Sequence, residues 1–357
     1  MQMKASLPLS AGVRPVVNAL QGPVLAVLGA VLIGGVIMVL TGHDPLQAYW
    51  AMLEGAVGGQ NLPATLSRAA PIVGMGLAAA IAFRAGFFNL GGEGQLVLGG
   101  LTTALVTIYL PLPAPLLLPV AFIAAAVVAG VYAWLAAFFQ FRFNVPLLIS
   151  TLLLNYPARF FASYLVTHPF RDVPSGMPQT YPVPLAVNLP PLSQDDRLHA
   201  GLFITLALVL AAAFVINRTV AGYEIRMAGL NANFVRYGGV DLRRLGYRVM
   251  FASGAIAGIV GAIEVLGVHQ RYIDDALTSP LYAWVGLMTA LLSGSNPLGV
   301  LVAGLFFSAV QTGGFALERA TEVPRELSRV LQALIILLVA ARQRFHFGNG
   351  GPEDDKE

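Results

Sequence analysis

The chain has 357 residues, of which 57% are hydrophobic and 11% charged, against roughly 45–50% and about 25% in a typical soluble domain; it is expected to be an all-α, polytopic membrane protein. The net charge of +3 is small and spread over loops, which reads as membrane topology and excludes a nucleic-acid surface. There is no cysteine, so disulfides, thiolate metal sites and thiol catalysis are excluded.

Crossing a hydrocarbon core of about 30 Å takes about 20 apolar residues. Ten segments approach that length: 17–41, 64–83, 93–110, 115–139, 146–167, 200–217, 247–268, 281–293, 298–315 and 327–341. The first follows Lys4 and Arg14, outruns the apolar part of a signal peptide and lacks a small-residue cleavage site after it, so it is expected to stay as an anchor. The eighth and tenth are short, and the Gly-Ser-Asn-Pro break at 294–297 predicts a re-entrant or broken-helix pair over 281–315. The expectation is about ten transmembrane or half-membrane helices over 17–342, with a cytoplasmic segment at 1–16 and a cytoplasmic tail at 343–357.

Basic residues set the orientation. With a cytoplasmic amino terminus, the inner segments carry thirteen Lys and Arg (Lys4, Arg14, Arg84, Arg142, Arg218, Arg226, Arg236, Arg243, Arg244, Arg248, Arg342, Arg344, Lys356) and the outer loops five (Arg171, Arg197, Arg271, Arg319, Arg325). That asymmetry places both termini inside. Two loops exceed ordinary connectors. The outer one, 168–198, is proline-rich and is expected to lie extended over the outer face. The inner one, 217–245, contains "GLNANFVRYGG", in which Asn231 or Asn233 caps a short helix that Gly238 and Gly239 end. It reads either as a docking surface or as a solvated positive-inside connector.

Several polar residues stand where lipid is expected. The stretch "GFFNLGGEGQ" (86–95) places Asn89, Glu93 and Gln95 among four glycines between apolar runs. A buried charge costs at least about 2.5–3.5 kcal/mol on insertion scales. Irregular backbone at that depth is tolerated only inside protein or along a cavity. Glu93 falls in the first turn of a helix, where free amides and the helix dipole favour a carboxylate. Glu264 lies on a helix whose preceding turns carry Gly258 and Gly261, and is expected to point inward. Asn155 precedes Tyr156 and Pro157, and its amide is expected to replace the backbone bond that proline removes. A loose internal echo joins "FNLGGEGQLVLGGLTTAL" (88–105) to "LSGSNPLGVLVAGLFFSAV" (292–310), each a glycine-rich break before an apolar helix. No metalloprotease, nucleophile-elbow or Walker A motif occurs, and the five histidines are scattered, so neither a catalytic residue nor a metal site is expected.

At "GFFNLGGEGQLVLGG" (86–100), "GLNANFVRYGGVDLRR" (229–244) and "AGIVGAIEVLGV" (257–268) the chain resembles permease subunits of bacterial ATP-binding-cassette importers, in the branch serving ribose, simple sugars and nucleosides. The outer loop is similar to that of the nucleoside type, and the likeness runs from about residue 20 to 342. The resemblance implies a translocation path beside Phe88, Asn89, Glu93 and Gln95, with Leu90 in place of the usual Ile; Asn155 and Glu264 join the candidates on their own reading. It implies an ATPase-coupling loop through Gly229, Asn231, Phe234, Arg236, Tyr237, Gly239 and Asp241. There Ala232 replaces a common proline, Phe234 and Val235 replace two alanines, and Val240 replaces Ile. It further implies a bacterial cytoplasmic-membrane location, ATP held by a partner ATPase subunit and no cofactor of the chain's own. A second permease subunit and an extracytoplasmic substrate-binding protein are the other expected partners, with a nucleoside as the most favoured solute. Ribose or another simple sugar, or a branched-chain amino acid, is the alternative cargo. The rival outside the family is an ion-coupled secondary carrier.

Overall fold

A computed structural model describes residues 14–59, 61–192 and 198–320, with single positions between 330 and 338. These residues form helices α1 (Arg14–Leu40), α2 (Pro45–Val57), α3 (Leu62–Arg84), α4 (Gly92–Tyr109), α5 (Ala114–Phe143), α6 (Leu147–Thr167), α7 (Gly201–Arg218), α8 (Val220–Leu230), α9 (Ala232–Tyr237), α10 (Leu242–Glu264), α11 (Tyr282–Leu292) and α12 (Pro297–Ala320). Among the described residues β structure is confined to two isolated bridges. Five stretches are long and apolar enough to cross a membrane: α3, α5, α7, α10 with its continuation to His269, and α12 as far as Arg319. The chain is therefore a multi-pass helical membrane protein.

Nine of the expected segments coincide with helices; the tenth, 327–341, lies largely outside the described residues, as do most of 1–16 and the tail 343–357. Helices α2 and α8 were not anticipated, because at 13 and 11 residues they fall short of a spanning length. The expected break at 294–297 is present. Helix α11 has 11 residues, about 16 Å at 1.5 Å per residue and half of a bilayer core. Gly294 and Ser295 then turn the chain with positive φ before α12 starts at Pro297.

Two compact units divide the chain, residues 57–312 and a smaller unit of 1–56 with 313–357. In the smaller unit the Tyr49 hydroxyl donates to the Val31 carbonyl at 2.6 Å. Gly55 lies so close to Ala316 that a Cβ there would stand 2.0 Å from its methyl group.

The larger unit is built around α3 and α10, both largely buried. Lipid tails are as apolar as Leu, so helices in a membrane associate through close packing of small residues. Ala121, Ala125, Ala129, Ala133 and Ala137 form a stripe four residues apart on α5, each at most 1% exposed. Gly254 and Gly258 of α10 lie against that stripe, and Gly258 and Gly261 meet α4 at Gly99, Leu96 and Gly100. The end of α10 passes into a π-helical turn over Val265–His269. Such turns are rare and appear mostly as single bulges in α-helices.

Candidate functional site

Helix α3 ends at Arg84, and the chain then runs without regular structure through 87–91 before α4 begins. A helix would bond this backbone internally; here side chains do so instead. Asn155 on α6 accepts from the Gly94 amide at 2.8 Å and donates to the Leu90 carbonyl at 2.9 Å. Thr151, one turn earlier, accepts from the Leu90 amide at 3.1 Å. Asn89 accepts from the Gly91 amide, exchanges two 3.0 Å bonds with the Gln95 amide, and donates to Ser253 of α10 at 2.9 Å. Ser253 passes a hydrogen on to the Ala78 carbonyl of α3. The broken backbone is thereby held by side chains from neighbouring helices, as buried main-chain groups require.

Glu93 stands in the first turn of α4, as its spacing predicts, and is buried. One carboxylate oxygen accepts from the Trp284 indole at 3.0 Å; the other pairs with Arg159 of α6 at 3.1 Å. The same guanidinium reaches Asp275 at 3.1 Å. Together with Asn155, Tyr156, Thr278 and Ser279 these groups line a cleft of about 340 Å³. Arg159 lies eight residues before the end of α6, about 12 Å along the helix axis from that end. Its side chain is 43% exposed and that of Asp275 is 62% exposed. A charged surface is costly against lipid. This face of the unit is therefore suited to water or another polypeptide. A second, small cavity of about 20 Å³ lies on the far side of Glu93 and Trp284, reaching Asn89 and Leu90.

The cleft thus unites Glu93 and Asn155 of the six path candidates. Asn89 and Gln95 lie behind it as backbone supports, and Phe88 turns away to pack on Phe83, ring centres 5.0 Å apart. Glu264 is 1% exposed as expected, but it sits apart from the cleft, with the Tyr282 hydroxyl and the Arg68 guanidinium as its polar neighbours. For Asn155 the structure corrects the expectation: its amide serves the break at Leu90 and Gly94, not the carbonyl that Pro157 leaves free in its own helix.

The inner loop folds as its caps dictate. Asn231 accepts from the Phe234 amide at 3.0 Å to start α9, and Gly238 ends it, with Gly239 at φ +83°. Only Val235 of this helix is buried. Phe234 and Arg236 project outward and Tyr237 is 92% exposed. Gly229 is pressed against the Arg84 carbonyl, where a Cβ would come within 2.2 Å. Asp241 caps α10 by accepting from the amides of Arg243 and Arg244.

The structure thus holds a buried polar break, a charged cleft beside it and a short capped helix, α9, in a chain with five helices able to span a membrane. The family described as branched-chain amino acid transport system / permease component matches residues 61–340. The chain belongs to that permease family. It is 34% identical over 334 residues to a glucose ABC transporter permease of Haloferax volcanii, covering 90% of this chain and 87% of the relative. It is 30% identical over 333 residues to a guanosine ABC transporter permease of Bacillus subtilis, with 92% and 95% coverage. A nucleoside ABC transporter permease of Lactococcus lactis is 26% identical over 330 residues, covering 90% of each chain.

Four cleft residues of this permease were not singled out in the sequence. Arg159, Asp275 and Trp284 belong to no motif of the sequence, and Tyr156 was named only as the neighbour of Pro157. The signal for Arg159 was present: an arginine eight residues from a helix end needs an acid, and "GGEG" offered one.

Proposed function

We propose that this permease is the membrane subunit of an ATP-driven importer in a bacterial cytoplasmic membrane and that it carries a nucleoside. The observation that carries the reading is the cleft at Glu93, Arg159, Asp275 and Trp284. The Glu93 carboxylate accepts hydrogen bonds from hydroxyl groups, Arg159 and Ser279 donate them, and Trp284 and Tyr156 supply aromatic surface for a flat base. One cation between two anions leaves the cleft net negative, which disfavours phosphorylated solutes. Glu93 and Trp284 border cavities on both of their sides, so movement of this pair opens one cavity to the other.

ATP hydrolysis is assigned to a partner ATPase that rests on α9, where Phe234, Arg236 and Tyr237 project. A second permease subunit covers the charged face of the cleft, and a substrate-binding protein delivers solute to the outer loop. In this reading the chain catalyses no covalent step; it converts a nucleotide-driven displacement of α9 into two states of the cleft. A simple sugar is the second reading, favoured by the glucose permease relative at 34% identity.

The test is ATP hydrolysis by the permease in lipid discs with its ATPase, second permease and binding protein, given guanosine or glucose. Guanosine should stimulate hydrolysis, while Arg236→Glu and Tyr237→Ala should keep the complex assembled and abolish the stimulation. Stimulation by glucose alone would turn the assignment to sugars. Solute movement by the isolated chain down an ion gradient, without any ATPase bound, would replace the importer with a secondary carrier.

A further inference from the structure

Beyond the cleft itself, the structure links it to the outer surface through a continuous run of main-chain bonds. The outer loop pairs with the π-turn of α10 and the segment that follows it. The Leu189 amide donates to the Leu266 carbonyl at 3.0 Å, Val183 to Gln270 at 2.9 Å, and Thr180 to Tyr272 at 2.9 Å. The Tyr272 amide donates to the Thr180 hydroxyl and the Asp274 amide to the Pro178 carbonyl, each at 3.0 Å. Arg271 and Asp172 add an ion pair at 3.8 Å. Displacement of the outer loop must therefore carry residues 266–274 with it.

That segment ends over the cleft. Asp274 accepts from Ser163 of α6 at 2.7 Å, and Asp275 pairs with Arg159, one turn below Ser163. Asp275 has φ +60° and Leu281 φ +61°, a left-handed backbone that non-glycine residues seldom adopt and that marks a conformation imposed by its surroundings. Between them the turn is closed by the Thr278 hydroxyl, which donates to both the carbonyl and the carboxylate of Asp275. The result is a short lid of residues 274–281, fastened to α6 by the side chains of Asp274 and Asp275 and to the outer loop through the Asp274 backbone.

We infer that the Arg159–Asp275 ion pair is the latch of this lid, and that a partner docking on the outer loop releases it. The inference rests on the importer reading, and its partner is the binding protein of that reading. Val173, Met177 and Leu185 are exposed apolar side chains of that loop. Arg159 holds Glu93 and Asp275 at once, so releasing Asp275 leaves Arg159 paired to Glu93 alone and uncovers the cleft. The two anions thereby have different work: Glu93 faces the solute, and Asp275 is a positioning residue that acts through Arg159.

The experiment uses the assembled complex in lipid discs. The wild type must first show hydrolysis stimulated by loaded binding protein; its absence overturns the importer reading and the latch with it. Given that stimulation, Asp275→Asn should raise hydrolysis without binding protein by about two- to fivefold, the shift an exposed ion pair can hold in a two-state equilibrium. An unchanged basal rate in an assembled Asp275→Asn complex overturns the latch and leaves the importer intact. The second variant exploits the cysteine-free chain: Ser163→Cys with Asp274→Cys, joined by a short thiol-specific cross-linker. Cross-linking should abolish stimulation and uptake, and cleavage of the linker should restore both. Full uptake with the lid cross-linked rules out the lid as a moving part.

Discussion

Asn155 shows how one amide can hold a backbone break inside a membrane. Its oxygen and nitrogen satisfy Gly94 and Leu90, groups sixty-one and sixty-five positions away in sequence. Leaving a buried donor or acceptor unpaired costs about 1–3 kcal/mol each, so Asn155→Ala should destabilise the protein by about 2–6 kcal/mol for the two groups together. Thermal unfolding of the detergent-solubilised chain without substrate is the measurement, with Leu153→Ala on the exposed face of the same helix as the reference. A midpoint for Asn155→Ala equal to that of Leu153→Ala would show that the break is held by other bonds. The glycines and Glu93 announced an irregular segment in the sequence, because lipid excludes such residues. The partner of that segment was not legible, since a polar side chain on one helix does not state which distant backbone it meets.

Helix α10 is the element on which packing turns. A Cβ at Gly258 would lie 2.3 Å from the Ala125 carbonyl oxygen and 2.6 Å from the Ala129 methyl carbon. A carbonyl of a neighbouring helix cannot rotate away as a side chain does, so the helices must separate along the whole Ala stripe. Overpacking of this kind costs typically about 1–3 kcal/mol, and separating α10 from both α4 and α5 should bring Gly258→Ala to the upper end of that range. The variant should elute as aggregate or at much reduced yield in gel filtration. Gly59→Ala, where nothing lies within 4 Å of the added carbon, should behave as wild type; equal profiles for the two variants would refute the account. Most spanning helices were legible from length and apolar content alone. Helices α2, α8 and the π-turn were not, because short amphipathic or locally wound segments carry no signal at spanning length. The caps of α9 and α10 were written locally, at Asn231 and Asp241; the sequence narrowed the first to Asn231 or Asn233, and the structure selects Asn231.

At the scale of the whole molecule, the proposed transport cycle takes its two sides from the distribution of basic residues in the sequence, which is expected to put the cleft's lid outside and α9 on the ATPase side. Everything proposed for transport depends on those two sides being right. The cysteine-free sequence makes the question directly measurable. Leu185 in the outer loop is 83% exposed and Tyr237 of α9 is 92% exposed, so each can carry a single thiol that reagents reach. A membrane-impermeant maleimide should label Leu185→Cys in intact cells and should leave Tyr237→Cys unlabelled until the membrane is permeabilised. The positive-inside rule is statistical, counting short loops near the helix ends, whereas labelling reports the sidedness of a named residue. Labelling of Tyr237→Cys in intact cells would invert the orientation, place α9 where no ATPase can reach it, and remove the coupling role from the inner loop. Labelling of Leu185→Cys alone would put the outer loop, the lid and the open mouth of the cleft on the side from which solute enters.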